Sequence, residues 1–182
     1  MTLADLSPVL RLLSPEILLS ALALGVLLGE AALGRALGVE KRQALLGWLV
    51  LAGLAGCLVI LGSQVAQGPS LVLVLGRGAY VASAFNSLMK LVATLAVMGS
   101  VTMGLRTPFV RHVGEQYALV LFSLLGMFFL LSAENLLMIF VALELVSLPL
   151  YALAASQKGA RRSVEGGLKY LLFGGLSAAF LL

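Results

Sequence analysis

Six apolar windows recur along the chain, at roughly 17–37, 44–62, 80–105, 115–133, 136–155 and 163–182. Each is close to the ~20 residues a helix needs to cross about 30 Å of hydrocarbon, and this recurrence limits the fold more than any other feature. A backbone inside lipid must satisfy its own hydrogen bonds, which for segments of this length means helices. The expected fold is therefore all-α: a polytopic bundle of about six transmembrane helices. Of 182 residues, 61% are apolar and 11% charged, where a soluble domain carries about 25% charged residues. A soluble enzyme is excluded. The windows and their short connections use the whole length, so residues 1–182 are expected to form a single membrane domain. The third window has the least distinct start. Leu71–Leu75, between Gly68-Pro69 and Gly76, reads as an interfacial strand or loop ahead of a helix that starts near Ala84.

Basic residues set the expected orientation. The alternate connections hold Arg35, Lys41, Arg42, Arg106, Arg111, Lys158, Arg161 and Arg162 on one side, against Arg11 and Arg77 on the other. By the positive-inside rule the first, third and fifth loops face the cytoplasm and the N-terminus lies outside. The formal charge of +4 comes from these loops. It forms no basic stripe with interleaved aromatics, so nucleic acid is not an expected partner. Cys57 is the only cysteine, in an apolar run, and reads as a small packing residue. One Cys and one His cannot supply the ligands of a zinc site. Arg11 precedes the first apolar stretch as in a signal peptide, but the stretch is longer than a typical signal core and further spans follow. The segment from Gly166 to Leu182 ends without a polar flank or basic anchor; it reads either as a complete chain whose final carboxylate lies at the far interface or, more readily, as part of a longer polytopic chain.

Charges inside the windows carry the functional signal. Glu144 lies near the centre of the fifth window, where a carboxylate costs roughly 2.5–3.5 kcal/mol on insertion scales. One reading is a packing hydrogen bond to a neighbouring helix. The other, stronger on chemical grounds, is proton handling, because a carboxyl group away from water can bind and release a proton near neutral pH. Lys169 lies about six residues into the last window, roughly 9 Å deep, and Glu144 roughly 16 Å deep from the same side. Lys169 either snorkels to the interface or joins Glu144 in a polar path, directly or through water. Lys90 is either buried or marks the outer boundary of the third span. Glu30, followed by Arg35, reads as an interfacial anchor, Glu115 and Glu134 as solvated, and His112 as a loop residue. Pro149 removes a backbone donor five residues after Glu144. It makes either an inert kink or a polar spot that admits water. Gly25/Gly29, Gly34/Gly38 and Gly174-Gly175 permit close helix packing.

Three stretches together carry a resemblance. They are Glu115-Gln116-Tyr117-Ala118-Leu119, then Val141 to Leu153 with the pattern ELxSLPLYxL, then Ser163-Val164-Glu165-Gly166-Gly167-Leu168-Lys169-Tyr170. In these the chain resembles the subunit N family of bacterial NADH:quinone oxidoreductase, respiratory complex I, whose mitochondrial counterpart is ND subunit two. The match is clearest from Gly114 to Leu182. The family usually places an Asp just before the third span, and none stands between Gly78 and Leu88 here.

The resemblance implies an antiporter-like, proton-translocating membrane-arm subunit in the bacterial cytoplasmic (inner) membrane. It implies Glu144 and Lys169 as proton-path residues, with Ser147, Pro149 and Tyr151 supporting them. No cofactor is expected in this chain; NADH, FMN, iron-sulfur clusters and quinone are implied for the complex. The implied partners are a neighbouring antiporter-like subunit, small membrane subunits and the lipid bilayer. Two rival readings stand beside it: a subunit of a multisubunit cation/proton antiporter or membrane-bound hydrogenase, and a noncatalytic scaffold whose buried polar pair fixes helix packing.

Overall fold

The computed structural model describes residues 10–33, 38–67, 80–105, 113–157 and 159–181. Six long helices lie within them: α1 (Ser14–Leu33), α2 (Val39–Gln67), α3 (Ala84–Gly104), α4 (Val113–Ser132), α5 (Leu136–Ala154) and α6 (Arg161–Leu181). Leu71–Leu75, Arg35, Arg77, Arg106, Arg111, His112, Lys158 and Gly34 lie outside the described residues.

Local chemistry explains several boundaries. Pro15 and Glu16 open the first turn of α1, where a missing backbone donor costs nothing and an acid complements the helix dipole. Ser83 caps α3, its hydroxyl accepting from Asn86 N–H at 3.1 Å, and Asn135 caps α5, accepting from Met138 N–H at 2.8 Å. α2 extends beyond its apolar window to 29 residues, and its added first turns carry Glu40, Lys41, Arg42 and Gln43. Five of the six helices are long and apolar enough to cross a membrane. α6 has the length, at 21 residues, but carries Arg161, Arg162, Glu165 and Lys169 in its first half. The fold is a polytopic helical bundle.

α4 is its axis. It packs against α1, α2, α3 and α5, whereas α6 packs on α5. Leu46, Val50, Leu54, Cys57 and Leu61 recur at helical spacing on one face of α2. They meet Leu19, Ala23 and Val26 of α1 and Leu121, Leu124 and Phe128 of α4 in the core. Leu28, Trp48, Val59 and Phe85 face outward, as side chains in contact with lipid tails would.

Tertiary contacts show that α1 to α4 run antiparallel in sequence. At one end, Gln64 of α2 donates to the Arg11 carbonyl at 3.1 Å, and Val81 N–H before α3 donates to the Ser132 carbonyl of α4 at 2.8 Å. At the other end, Gln43 of α2 donates to the Gly104 carbonyl of α3 at 2.8 Å. Glu30, near the end of α1, there meets Arg42 at 3.3 Å and accepts from Gly114 N–H at the start of α4 at 3.2 Å. Glu30 thus does more than anchor at an interface: it ties three helices and satisfies an open donor of α4.

One close approach depends on a missing side chain. A Cβ on Gly126 of α4 would stand 2.6 Å from Val146 N and 2.8 Å from Leu145 C, backbone atoms of α5 that cannot swing aside. Pro149 leaves the Leu145 carbonyl without its usual helical donor at this turn, so Gly126 of α4 sits against α5 where its hydrogen-bond ladder is locally open. Gly126→Val is expected to lower the melting temperature of the purified assembly by an amount equivalent to about 1–3 kcal/mol. An unchanged melting temperature would show that the helices separate freely.

Candidate functional site

The residues singled out in the sequence occupy α5 and α6. Glu144 lies in mid-α5, half-buried, one residue before the turn that Gly126 approaches. Ser147 Oγ donates to the Leu143 carbonyl at 2.7 Å, so the hydroxyl turns back on its own helix. Pro149 is buried inside the helix. Tyr151, 7% exposed, stacks edge-on against Tyr170 with ring centroids 4.7 Å apart. A Cβ on Gly174 would overlap the Tyr151 hydroxyl. Tyr151 therefore seats α6 on α5 through a cleft that Gly174 keeps open. Lys169 is exposed and pairs with Glu165 one turn earlier, Nζ to Oε1 2.7 Å. Its described ion pair is thus to its own helix and not to Glu144.

A second polar group is far more enclosed. Lys90 of α3 is 4% exposed and Glu16 of α1 is 3% exposed. Lys90 Nζ meets Glu16 Oε1 at 2.6 Å. The Tyr80 hydroxyl joins them, donating to Glu16 Oε1 at 2.7 Å and accepting from Lys90 Nζ at 3.0 Å. The Lys90 ammonium also lies 5.1 Å from the Tyr80 ring centroid and 5.5 Å from that of Phe128, within cation–π range. Of the two readings of Lys90, burial is the observed one. Thr94 Oγ1 donates to the Lys90 carbonyl at 2.7 Å, and Cys57, buried in α2, lies beside the group.

Glu16 escaped the sequence reading because it stands one residue before the first apolar window, where a first-turn acid is commonplace. Lys90 held the available signal: a cation inside an apolar run needs a counter-charge near the same membrane depth. Glu115 and Glu134 are exposed. Among the described residues no group of three His, Cys, Asp or Glu side chains could hold a metal ion.

Comparison with known proteins places these helices. Residues 133–182, which hold α5 and α6, match the family model described as NADH:quinone oxidoreductase/Mrp antiporter, transmembrane. NADH-quinone oxidoreductase subunit N of Moorella thermoacetica is 35% identical over 178 residues, 95% of this chain and 35% of the relative. Subunit 14 of the Thermus thermophilus NADH-quinone oxidoreductase is 40% identical over 142 residues, 78% of this chain and 29% of the relative. Among solved structures, a chain of respiratory complex I from Thermus thermophilus with bound aureothin superposes with a TM-score of 0.68 at 31% identity, over 91% of this chain and 34% of that one. The chain belongs to the NADH-quinone oxidoreductase subunit N family. It spans about a third of the length of the family members named here. The Moorella and complex I matches cover 95% and 91% of this chain, and so reach through α1 to α4, well beyond the 133–182 match.

Proposed function

We propose that this chain supplies part of a membrane-arm subunit that couples electron transfer from NADH to quinone to proton translocation, with Glu144 and Lys169 on the proton path. The observation that carries this reading is the coincidence of the family-model match, 133–182, with the two helices bearing both residues. Glu144 is the acid in an otherwise apolar α5, and Lys169 stands on the helix that packs on α5. In this reading the two groups change protonation and position as redox-driven changes pass along the membrane arm. Moving one charge against the membrane potential takes roughly 2.3 kcal/mol per 100 mV, which changes in solvation around such groups can supply.

The same reading places the chain in the bacterial cytoplasmic membrane as a multi-pass subunit with its N-terminus outside. Lys41, Arg42, Arg161 and Arg162 support this orientation, gathered at the end of the bundle opposite Arg11. Its partners are the neighbouring antiporter-like subunit and small membrane subunits. NADH, FMN, iron-sulfur clusters and quinone belong to the complex as a whole. The described residues offer no cluster that fits an iron-sulfur centre, so no electron-transfer step is assigned to them.

The test uses Glu144→Gln and Lys169→Met in the full-length subunit within the native complex. Proton pumping is followed by a pH-sensitive dye and NADH oxidation by absorbance. Lys169→Met is expected to reduce pumping several-fold with assembly intact. If both variants leave pumping and NADH oxidation unchanged, the reading fails.

A further inference from the structure

We propose that the groove between α2 and α3 holds an anionic phospholipid, with its phosphate on Lys41, its glycerol esters beside the Trp48 indole and one acyl chain lying along the groove. Ala44, Trp48, Ala52 and Ala55 of α2 form one side, and Met98 and Thr102 of α3 the other, around a volume of about 740 Å³. That volume lies in the range of small-molecule sites. The lining is apolar along its depth. Thr102 Oγ1 donates to the Gly99 carbonyl at 2.7 Å, so its donor is satisfied within α3.

The rim is polar and unpaired. Lys41, Trp48 and Ala55 are spaced by seven residues, close to two turns, and so fall on one line along α2. Lys41 is exposed and Trp48 is 67% exposed. Neither the ammonium nor the indole N–H has a partner among the described residues. Long side chains lean toward the N-terminus of their helix, so both reach toward the end of the bundle where Glu30 and Arg42 meet. A cation on a flexible stem and an indole are the side chains a membrane interface favours at headgroup depth. Glu40 is exposed as well, but stands about 100° round the helix from Lys41, off the line of the groove.

Depth distinguishes a lipid from a protein helix. From Ala44 to Ala55 is about 16 Å along α2, roughly one leaflet of a ~30 Å hydrocarbon core. A transmembrane helix of a partner would run the full core and would need a groove about twice as long. An acyl chain needs one leaflet only, and the phosphate brings the counter-charge that Lys41 lacks. The groove lies on α2 and α3, so this inference stands whether or not Glu144 and Lys169 form the proton path.

The test uses the purified complex carrying the full-length subunit, in nanodiscs of phosphatidylcholine with a trace of phosphatidylglycerol bearing a diazirine on one acyl chain. After illumination, mass spectrometry locates the labelled residues. Labelling is expected at Ala52, Ala55 and Met98. It should exceed that from a phosphatidylcholine analogue with the same diazirine chain by about fivefold, the preference one basic residue gives for anionic lipid near a membrane surface. Lys41→Gln should erase the preference, Lys41→Arg should keep it, and Ala52→Phe should fill the groove and lower labelling by both lipids. Equal labelling of the parent complex by the two lipids, a comparison that needs no variant, would overturn the proposal and leave ordinary lipid contact. So would a preference that survives in Lys41→Gln. A groove labelled by neither lipid would also overturn it, since a neighbouring subunit would then cover that face.

Discussion

Lys90→Met, made alone, is expected to destabilise the protein by about 3–5 kcal/mol, because it leaves a carboxyl group buried without its counter-charge. Met matches the length of the lysine stem, so packing changes little and electrostatics dominates. Glu16 then either stays charged among Tyr80, Phe128 and Cys57 or is held neutral, and each course gives up the 2.6 Å contact. The double variant Glu16→Gln/Lys90→Met is expected to recover most of the loss. Neutralising both members of a buried pair removes two desolvation costs along with one attraction. Thermal melts of the purified assembly read both numbers. A single variant no less stable than the double would mean that water reaches the pair and screens it.

The second large effect concerns Glu144. Glu144→Gln keeps volume and hydrogen-bonding capacity but cannot exchange a proton, so it is expected to lower the pumping rate at least tenfold while the subunit still assembles. Glu144→Asp keeps the carboxyl group on a shorter stem and is expected to retain an intermediate rate. The order Glu, Asp, Gln in pumping, with equal subunit content on native gels, is the signature of proton exchange. Equal pumping by Asp and Gln would instead indicate that only the side chain's size matters there. Lys169 is expected to be the milder site, since it already lies in contact with Glu165 on an exposed helix face.

The bundle was legible in the sequence because the hydrophobic effect and backbone hydrogen bonding act over whole 20-residue windows, and no local preference can override them. Glu144 was legible for the same reason: it interrupts an apolar run. Lys90 was visible as an anomaly, yet its partner Glu16 is 74 residues away, and nothing local links a first-turn acid of α1 to a lysine of α3. Tyr80 joins them only because the Tyr80–Ala133 bridge and the Val81–Ser132 hydrogen bond pin the start of α3 to the end of α4. Glu30 was legible only in part, for the same reason. Its neighbour in sequence suggested an anchor, while its neighbours in space, Arg42 and Gly114, make it a junction. Contacts between helices depend on which faces meet, and pattern reading does not reach that far.

The two sets of polar ties lie at opposite ends of α1 to α4, with an aliphatic middle between them. Mechanically this resembles a beam pinned at both ends. Sliding one of these four helices along another would have to break charge-assisted bonds at one end or the other, so the quartet resists shear. Among the described residues α6 shows no such charged pins to them: it sits on α5 through the Ser163–Ala154 hydrogen bond at its start, the Tyr151 ring and small residues such as Gly167 and Gly174, contacts that can roll or slip without leaving a buried charge exposed. Amide hydrogen exchange should therefore be slowest in the mid-sections of α1, α2 and α4 and fastest in α6. Under the proposed function, the pinned quartet is expected to serve as the stationary frame and the α5–α6 seam as the part that moves.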